Sequence, residues 1–247
     1  MIVCFLDGHS AQHNFVEKCW AEYQVNLTFE YVGRGDREKS NMRITFEGEG
    51  FESFIGKTQV STDKATMKLG TKTWDGSPEL RAHILHEGMH MLGFGHEHAS
   101  PKSTIEWKSE EVYKHCKKSY DWEPRTTFIN FLSLYPADQV DASEYDPKSI
   151  MHYPVHPVLT RDGFCVLENL ELSELDKKKL KSMYADNPHS GDTHASPPTL
   201  PMASASLPAP TWAIAFKRSQ NMINFGGLYC PLVIVLLLGA ACVHKLV

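Results

Sequence analysis

Apolar residues along this chain recur first with a two-residue beat, then with a helical one, and the switches between them outline the elements. "IVCFLD" at residues 2–7 is a short β-rich run. From Ser10, a residue suited to capping, Phe15, Val16, Cys19, Trp20 and Tyr23 return at helical spacing and predict a helix with one buried face. "LTFEYVG" (27–33) and "MRITFEG" (42–48) alternate as half-buried strands do, with Gly- and Asp-rich turns between them, and "ESFIG" (52–56) and "TMKLG" (66–70) read as shorter strands. Strand, helix and strand in this order predict a mostly parallel sheet with helices packed on it.

"SPELRAHILHEGMHMLGFG" (77–95) is the next helix. Ser77 caps it, Pro78 suits its first turn, Glu79 complements the positive end of its dipole, and Gly93 and Gly95 stop it. Past residue 100 the pattern loosens, apart from a helix over Ser109–Ser119 and another from Ser173. There "SELDKKKLKSMY" opens in the manner of a capping box, and Leu180, Met183 and Tyr184 share one face. No internal repeat is present.

Composition divides the chain. Its 247 residues, 42% hydrophobic and 22% charged, suit one globular domain plus an appendage, and the break falls at residue 186. Residues 187–227 are rich in Pro, Ser and Ala and read as a disordered linker, because they cannot bury enough apolar surface to offset chain entropy. Residues 228–243 include "PLVIVLLLGAACV", within an uncharged stretch from Arg218 to Lys245, and form a candidate membrane anchor; the dense part is short for a full span of about 20 residues. "MIVCFLDG" shows no secretory signal, so the expectation divides: a tail-anchored enzyme if the start is complete, a secreted or extracellular-facing one if it is not. The net charge of −5 and the lack of a Lys/Arg stripe disfavour nucleic acid as a partner. Cys4, Cys19, Cys116 and Cys165 allow up to two disulfides within the domain and lack the paired spacing of a zinc ribbon. Asn26 begins an N-x-T glycosylation triplet.

One stretch bears the chemistry. "HEGMHMLGFGHEH" (86–98) packs four histidines and two glutamates into thirteen positions. His86 and His90, four apart on a helix, project from one face and can reach one ion. Glu87, beside the first ligand, is placed to take a proton from a water in an open coordination position. A catalytic zinc needs a third protein ligand, and Gly93 supplies the means: a left-handed residue there reverses the chain and brings back His96. The alternative is an accidental string on a solvated helix end. With 13 His and 16 Gly in 247 residues, requiring the extra Gly and His makes a chance match to H-E-x-x-H-x-x-G-x-x-H roughly three-hundredfold rarer. His83 and His98 are nearby, but a structural or supporting role suits them better than ligation.

"YDPKSIMHYP" (145–154), taken with the histidine motif, resembles the metzincin zinc peptidases, and "SIMHYP" is similar to the methionine turn of the astacin family. The resemblance runs from residue 2 to about 185. "GFGHEH" and "LSELDKKKLKSMY" continue it, and "FLDG" and "MRITF" look like early strands of the bacterial and fungal branch. It implies an α+β metzincin-like domain over residues 1–186: a twisted, mostly parallel sheet, two long helices above the cleft, and an irregular lower subdomain. It implies one catalytic Zn2+ on His86, His90 and His96, Glu87 as general base, Met151 as an apolar floor, and Tyr153 as a switchable ligand that then bonds the transition state. The substrates would be proteins or peptides cut at internal bonds; oligomeric state is left open. By the same resemblance Glu97 meets the freed N-terminus of the mature enzyme, but a first strand beginning at Ile2 leaves almost no chain to reach it, so Glu97 is expected to have another partner or the N-terminus to differ. "ASPKSTIEW" replaces the arginine and Asp-Arg-Asp run of animal relatives, so substrate preference does not carry over. Two other classes are weighed: a catalytically silent zinc-binding peptide-recognition module, and a membrane-tethered adhesion or scaffold protein.

Overall fold

The computed structural model describes residues 1–184 apart from 26, 57–60 and 72–73. Asn26, the 187–227 linker and the 228–243 candidate anchor lie outside the described residues. Among the described residues, no helix is long and apolar enough to cross a membrane.

The first half alternates as the sequence predicts: β1 (Ile2–Phe5), α1 (Ser10–Trp20), β2 (Glu30–Val32), β3 (Met42–Thr45), β4 (Gly50–Ser53), β5 (Met67–Gly70) and α2 (Pro78–Met91). The described strands form a five-stranded sheet in the order β2-β1-β3-β5-β4. β1 runs parallel to β2 and β3, and β3 parallel to β5; only the β4–β5 pair is antiparallel. The mostly parallel expectation holds because α1 carries the chain back over the sheet before β2 begins.

Two boundaries differ from the sequence reading. The cap of α1 is His9 rather than Ser10, and its N–H donates to Gln12 Oε1 at 3.0 Å. The alternation in "ESFIG" points to a strand over 52–56, but β4 starts at Gly50 and pairs Phe51 with Leu69. Burial of that pair decides the register, and Phe54 falls beyond the strand and is exposed. Gly70 permits the approach: a Cβ there would lie 2.7 Å from the Gly48 carbonyl oxygen.

The main core lies between the sheet and the helices, with Val3, Ile44, Met67 and Leu69 from the strands meeting Val16, Trp20, Ile84, Leu85 and Met89. Each large apolar side chain so buried contributes about 1.5–3 kcal/mol. α1 and its following turn grip α2 through two polar tips: Trp20 Nε1 donates to Ile84 O (3.2 Å) and Tyr23 Oη to Leu85 O (2.7 Å). A Cβ on Gly88 would come within 2.1 Å of Tyr23 Oη, so the glycine inside the histidine motif is fixed by helix packing.

Beyond α2 the chain is largely irregular, with α3 (Ser109–Tyr120), α4 (Pro124–Thr127) running into a π-helical turn (Phe128–Leu132), and α5 (Glu174–Met183). Val112, Cys116, Phe131, Tyr153 and Leu159 form a second, smaller core there. Ser173 caps α5 as expected, with the Ser173 and Asp176 side chains each accepting from the other's backbone N–H. Leu180 is buried on this helix, but Met183 on the predicted inner face is exposed. Cys4, Cys19 and Cys116 are buried free thiols, so the domain does not form the two internal disulfides its four cysteines allow; Cys165 is disulfide-bonded.

Candidate active site

α2 presents His86 and His90 one turn apart, and its ending supplies the rest. Ser77 Oγ accepts from Leu80 N–H at the start, with Pro78 in the first turn. At the end Gly93 takes φ +99°, its N–H donates to His90 O (2.9 Å), and Phe94 N–H donates to Met89 O (3.1 Å). That is a Schellman closure, which a left-handed glycine makes at little cost. It turns the chain so that His96 returns over the helix.

The three rings converge. His96 Nε2 lies 3.3 Å from His86 Nε2 and 3.1 Å from His90 Nε2. One nitrogen from each histidine falls within 4.8 Å of the others, a group able to hold a metal ion. Two of the rings are oriented from behind: His86 Nδ1 donates to Ile150 O and His90 Nδ1 to Phe94 O, both at 2.8 Å. Those bonds put the proton on Nδ1 and leave the Nε2 lone pairs facing inward. Burial keeps all three rings neutral, with His90 lowered to about 4 and His86 and His96 well below the ordinary imidazole value. Two neutral acceptors thus face the Nε2 of His96, and a cation of zinc's chemistry fits a donor set of three imidazole nitrogens.

Glu87 is buried beside the triad, and its Oε2 has no hydrogen-bond partner among the described residues. Burial pushes its carboxyl well above the usual range; the Glu52 carboxylate adds to this, and Lys68 opposes it. Tyr153 is buried with its ring 4.2 Å from the His96 ring and 4.5 Å from that of His98. Burial raises this phenol well above its ordinary value, so the hydroxyl stays protonated. Met151 is buried in the main core, and its carbonyl accepts from Glu97 N–H at 3.0 Å. Glu97 Oε1 accepts from Asp146 N–H at 2.9 Å, while the Met1 ammonium donates to Thr28 O at 2.6 Å. Burial of Glu97 pushes its carboxyl up to about 7.

His83 and His98 do not join the metal-binding group, although the His98 ring lies 5.5 Å from that of His96. His83 stacks on Phe51 (4.7 Å) with Nε2 3.5 Å from a Glu168 oxygen, and His98 Nε2 donates to Asn130 O at 3.1 Å. Tyr135 escapes sequence reasoning, although its Oη accepts from His96 N–H at 3.1 Å and its ring fills the place of a Gly95 side chain. Gly95 therefore makes room for this tyrosine, while Gly93 alone turns the chain. No spacing rule links residues forty apart in irregular chain. Asp176 is a second omission: Oδ1 accepts from Ser149 Oγ (2.7 Å) and Oδ2 from Ile150 N–H (2.9 Å), so the cap of α5 also holds the methionine turn. The capping box marks Asp176 for the first task and gives no sign of the second.

A helix with two histidines, a glycine reversal to a third, and a methionine turn whose Ile150 carbonyl holds His86 define a metzincin-type zinc peptidase. Residues 5–162 match the peptidase family described as Astacin, and the chain belongs to that family of zinc metallopeptidases, which use one catalytic zinc. Two solved structures of myroilysin are similar. One is 30% identical with a TM-score of 0.68, covering 76% of this chain and 93% of that one. The other is 28% identical with a TM-score of 0.52, covering 75% and 83%. High choriolytic enzyme 1, a hatching enzyme zinc-protease from the medaka fish Oryzias latipes, shares the fold at 15% identity and a TM-score of 0.50, covering 74% of this chain and 88% of that one. No curated protein matches the chain.

Proposed function

We propose that this peptidase hydrolyses internal peptide bonds of proteins with zinc held by His86, His90 and His96, Glu87 as general base and Tyr153 as oxyanion donor. The observation that carries the reading is the buried Glu87 carboxyl beside the three converging imidazoles, with one oxygen committed to no neighbour among the described residues. When bound, zinc polarises the scissile carbonyl and acidifies the attacking water. Glu87 accepts the water proton at its uncommitted oxygen and passes it to the leaving amine. Its raised pKa belongs to the metal-free site; a dication close by favours the carboxylate and brings the group toward the range a base needs. The Tyr153 hydroxyl, kept protonated by burial, donates to the developing oxyanion. The same proposal places the catalytic unit in residues 1–186, ahead of the 187–227 linker and the 228–243 candidate anchor.

The test is Glu87→Gln in the full-length protein, assayed on casein with zinc content measured in parallel. Turnover falls by about 10²–10⁴-fold, the range of general-base catalysis, while one zinc per chain is retained. Wild-type turnover in Glu87→Gln refutes the assignment of the base. A wild-type protein that holds zinc and cleaves nothing is instead the silent binding module.

A further inference from the structure

Tyr153 has two surroundings. Its ring meets those of His96 and His98, and it also lines a cavity of about 220 Å³ in the lower subdomain. Buried Phe131 and Leu159 form the deep walls, and half-buried Tyr120 and Trp122 stand at the mouth with ring centroids 4.9 Å apart. Among the described residues the lining contains no carboxylate, lysine or arginine. Its two histidines, His115 and His156, lie at partly exposed positions, and burial lowers His115 below the usual imidazole value.

Size and chemistry select the occupant. An apolar cavity of about 150 Å³ holds a benzene molecule, so 220 Å³ accepts a phenyl ring with the methylene that attaches it. Tyr120, Trp122 and Phe131 offer faces and edges to such a ring, which aromatic pairs favour in tilted and edge-on arrangements. An aspartate or glutamate placed there would lose its water without meeting a cation. The shared wall at Tyr153 puts the cavity one side chain away from the metal-binding group, within reach of the residue adjoining a bond held at that group.

We propose that this cavity receives the side chain of a large apolar residue, phenylalanine above all, next to the scissile bond, and that Trp122 sets the preference. The inference rests on the peptidase reading above and names its substrate class. Docking of an apolar ring against Trp122 and Tyr120 fixes the register of the peptide, so the selectivity appears in kcat/KM.

The experiment uses the zinc-loaded full-length protein and peptides identical except for Phe, Leu, Ala or Asp at one position, with the cleaved bond located by mass spectrometry. Phe and Leu peptides are cut beside that residue with kcat/KM at least about 10²-fold above Ala, since a single methylene in an apolar pocket is worth about 10–200-fold, and Asp falls lowest. Equal rates, or Asp ahead of Phe, overturn the proposal. Trp122→Ala lowers the Phe/Ala ratio of kcat/KM at least about tenfold, the ratio cancelling any change common to both peptides; an unchanged ratio removes Trp122 from the assignment. Binding of the same four peptides to Glu87→Gln, measured by calorimetry, follows the same order without turnover. If wild-type protein cleaves none of them and this order persists, the peptidase reading falls and the cavity assignment stands. Binding with no order among the four overturns the cavity assignment itself.

Discussion

The two halves of this molecule are stabilised in different ways. From β1 to α2 the chain is held by repetition: strand ladders, helical bonds and a continuous apolar face, where no single side chain decides the outcome. From Gly93 to Ser173 it is held by individual attachments, such as Tyr135 to His96, Ser149 and Ile150 to Asp176, and Glu97 to Asp146. The metal-binding group straddles the division. His86 and His90 belong to the regular half, while His96, Met151 and Tyr153 are set by the irregular one. A helix can fix two ligands to good tolerance, but an open coordination site also needs a ligand and a donor from another direction. The irregular half supplies that direction, and its order depends on the few contacts that anchor it.

The largest effect expected from this contrast follows removal of the metal. Chelation, or His96→Ala, abolishes peptidase activity and loosens one half more than the other. Hydrogen exchange speeds up over residues 94–100 and 149–153, whose backbone groups adjoin His96 and Ile150, and stays slow in β1 and β3, buried in the main core. His98→Ala, which removes a ring stacked on Tyr153 but no member of the triad, keeps zinc at one ion per chain. Metal analysis and exchange mass spectrometry decide it. Uniform acceleration across both halves after chelation would show that they open as one unit.

The same contrast explains what the sequence reveals. β1, β3, β5, α1, α2 and α5 are legible because burial on one face repeats at a fixed period, and Ser77, Gly93 and Ser173 mark their ends through local backbone chemistry. The triad is legible for the same reason, since its spacing is local to one helix and one turn. Register is harder: β4 shifts toward Gly50 because Phe51 and Leu69 bury together, a cross-strand fact absent from either strand alone. α4 and the π-helical turn at Phe128–Leu132 give no periodic signal, since only Thr127 and Phe131 of these residues are buried. Tyr135 and Asp176 act across long separations on a non-repeating backbone. The roles of Met151 and Tyr153 enter through resemblance alone, since each, taken singly, reads as an ordinary buried side chain.

Asp176→Ala tests the irregular half next. It strips acceptors from Ser149 Oγ, Ile150 N–H and Ser173 N–H at once, two of these bonds being buried. Hydrogen bonds to a charged acceptor contribute about 1.5–3 kcal/mol each, and partial recovery by water at the helix start leaves a loss of about 3 kcal/mol. Ile150 also carries the carbonyl that orients His86, so zinc affinity falls by about 10–100-fold, as when an outer partner of a metal ligand is lost. Denaturant unfolding gives the first quantity and competition with a chelator the second. A stability loss with unchanged zinc affinity would separate the cap of α5 from the site.

The smallest effect is predicted where the halves are joined by charge. Arg81 on α2 donates from Nε to Glu22 Oε1 (2.8 Å) in the regular half, and from Nη1 to Leu170 O (3.0 Å) and Nη2 to Glu171 Oε2 (2.9 Å) in the irregular one. The Glu22 and Glu171 carboxylates hold its guanidinium above its already high ordinary value, so it stays charged throughout the working range. Glu171 is 75% exposed, and pairs this open to water contribute between zero and about 1 kcal/mol. The bond to the Leu170 carbonyl adds about 1 kcal/mol, because without Arg81 that partly buried oxygen relies on water. Arg81→Met keeps most of the aliphatic stem in place and is therefore expected to cost about 1–2 kcal/mol of unfolding free energy. Glu171→Ala costs less than half of that, and turnover is within about twofold of wild type in both, since neither changes the bonds behind His86 or His90. A drop in turnover well beyond the stability loss in Arg81→Met would mean that the charge bridge, rather than Asp176 and the metal, fixes the irregular half against the regular one.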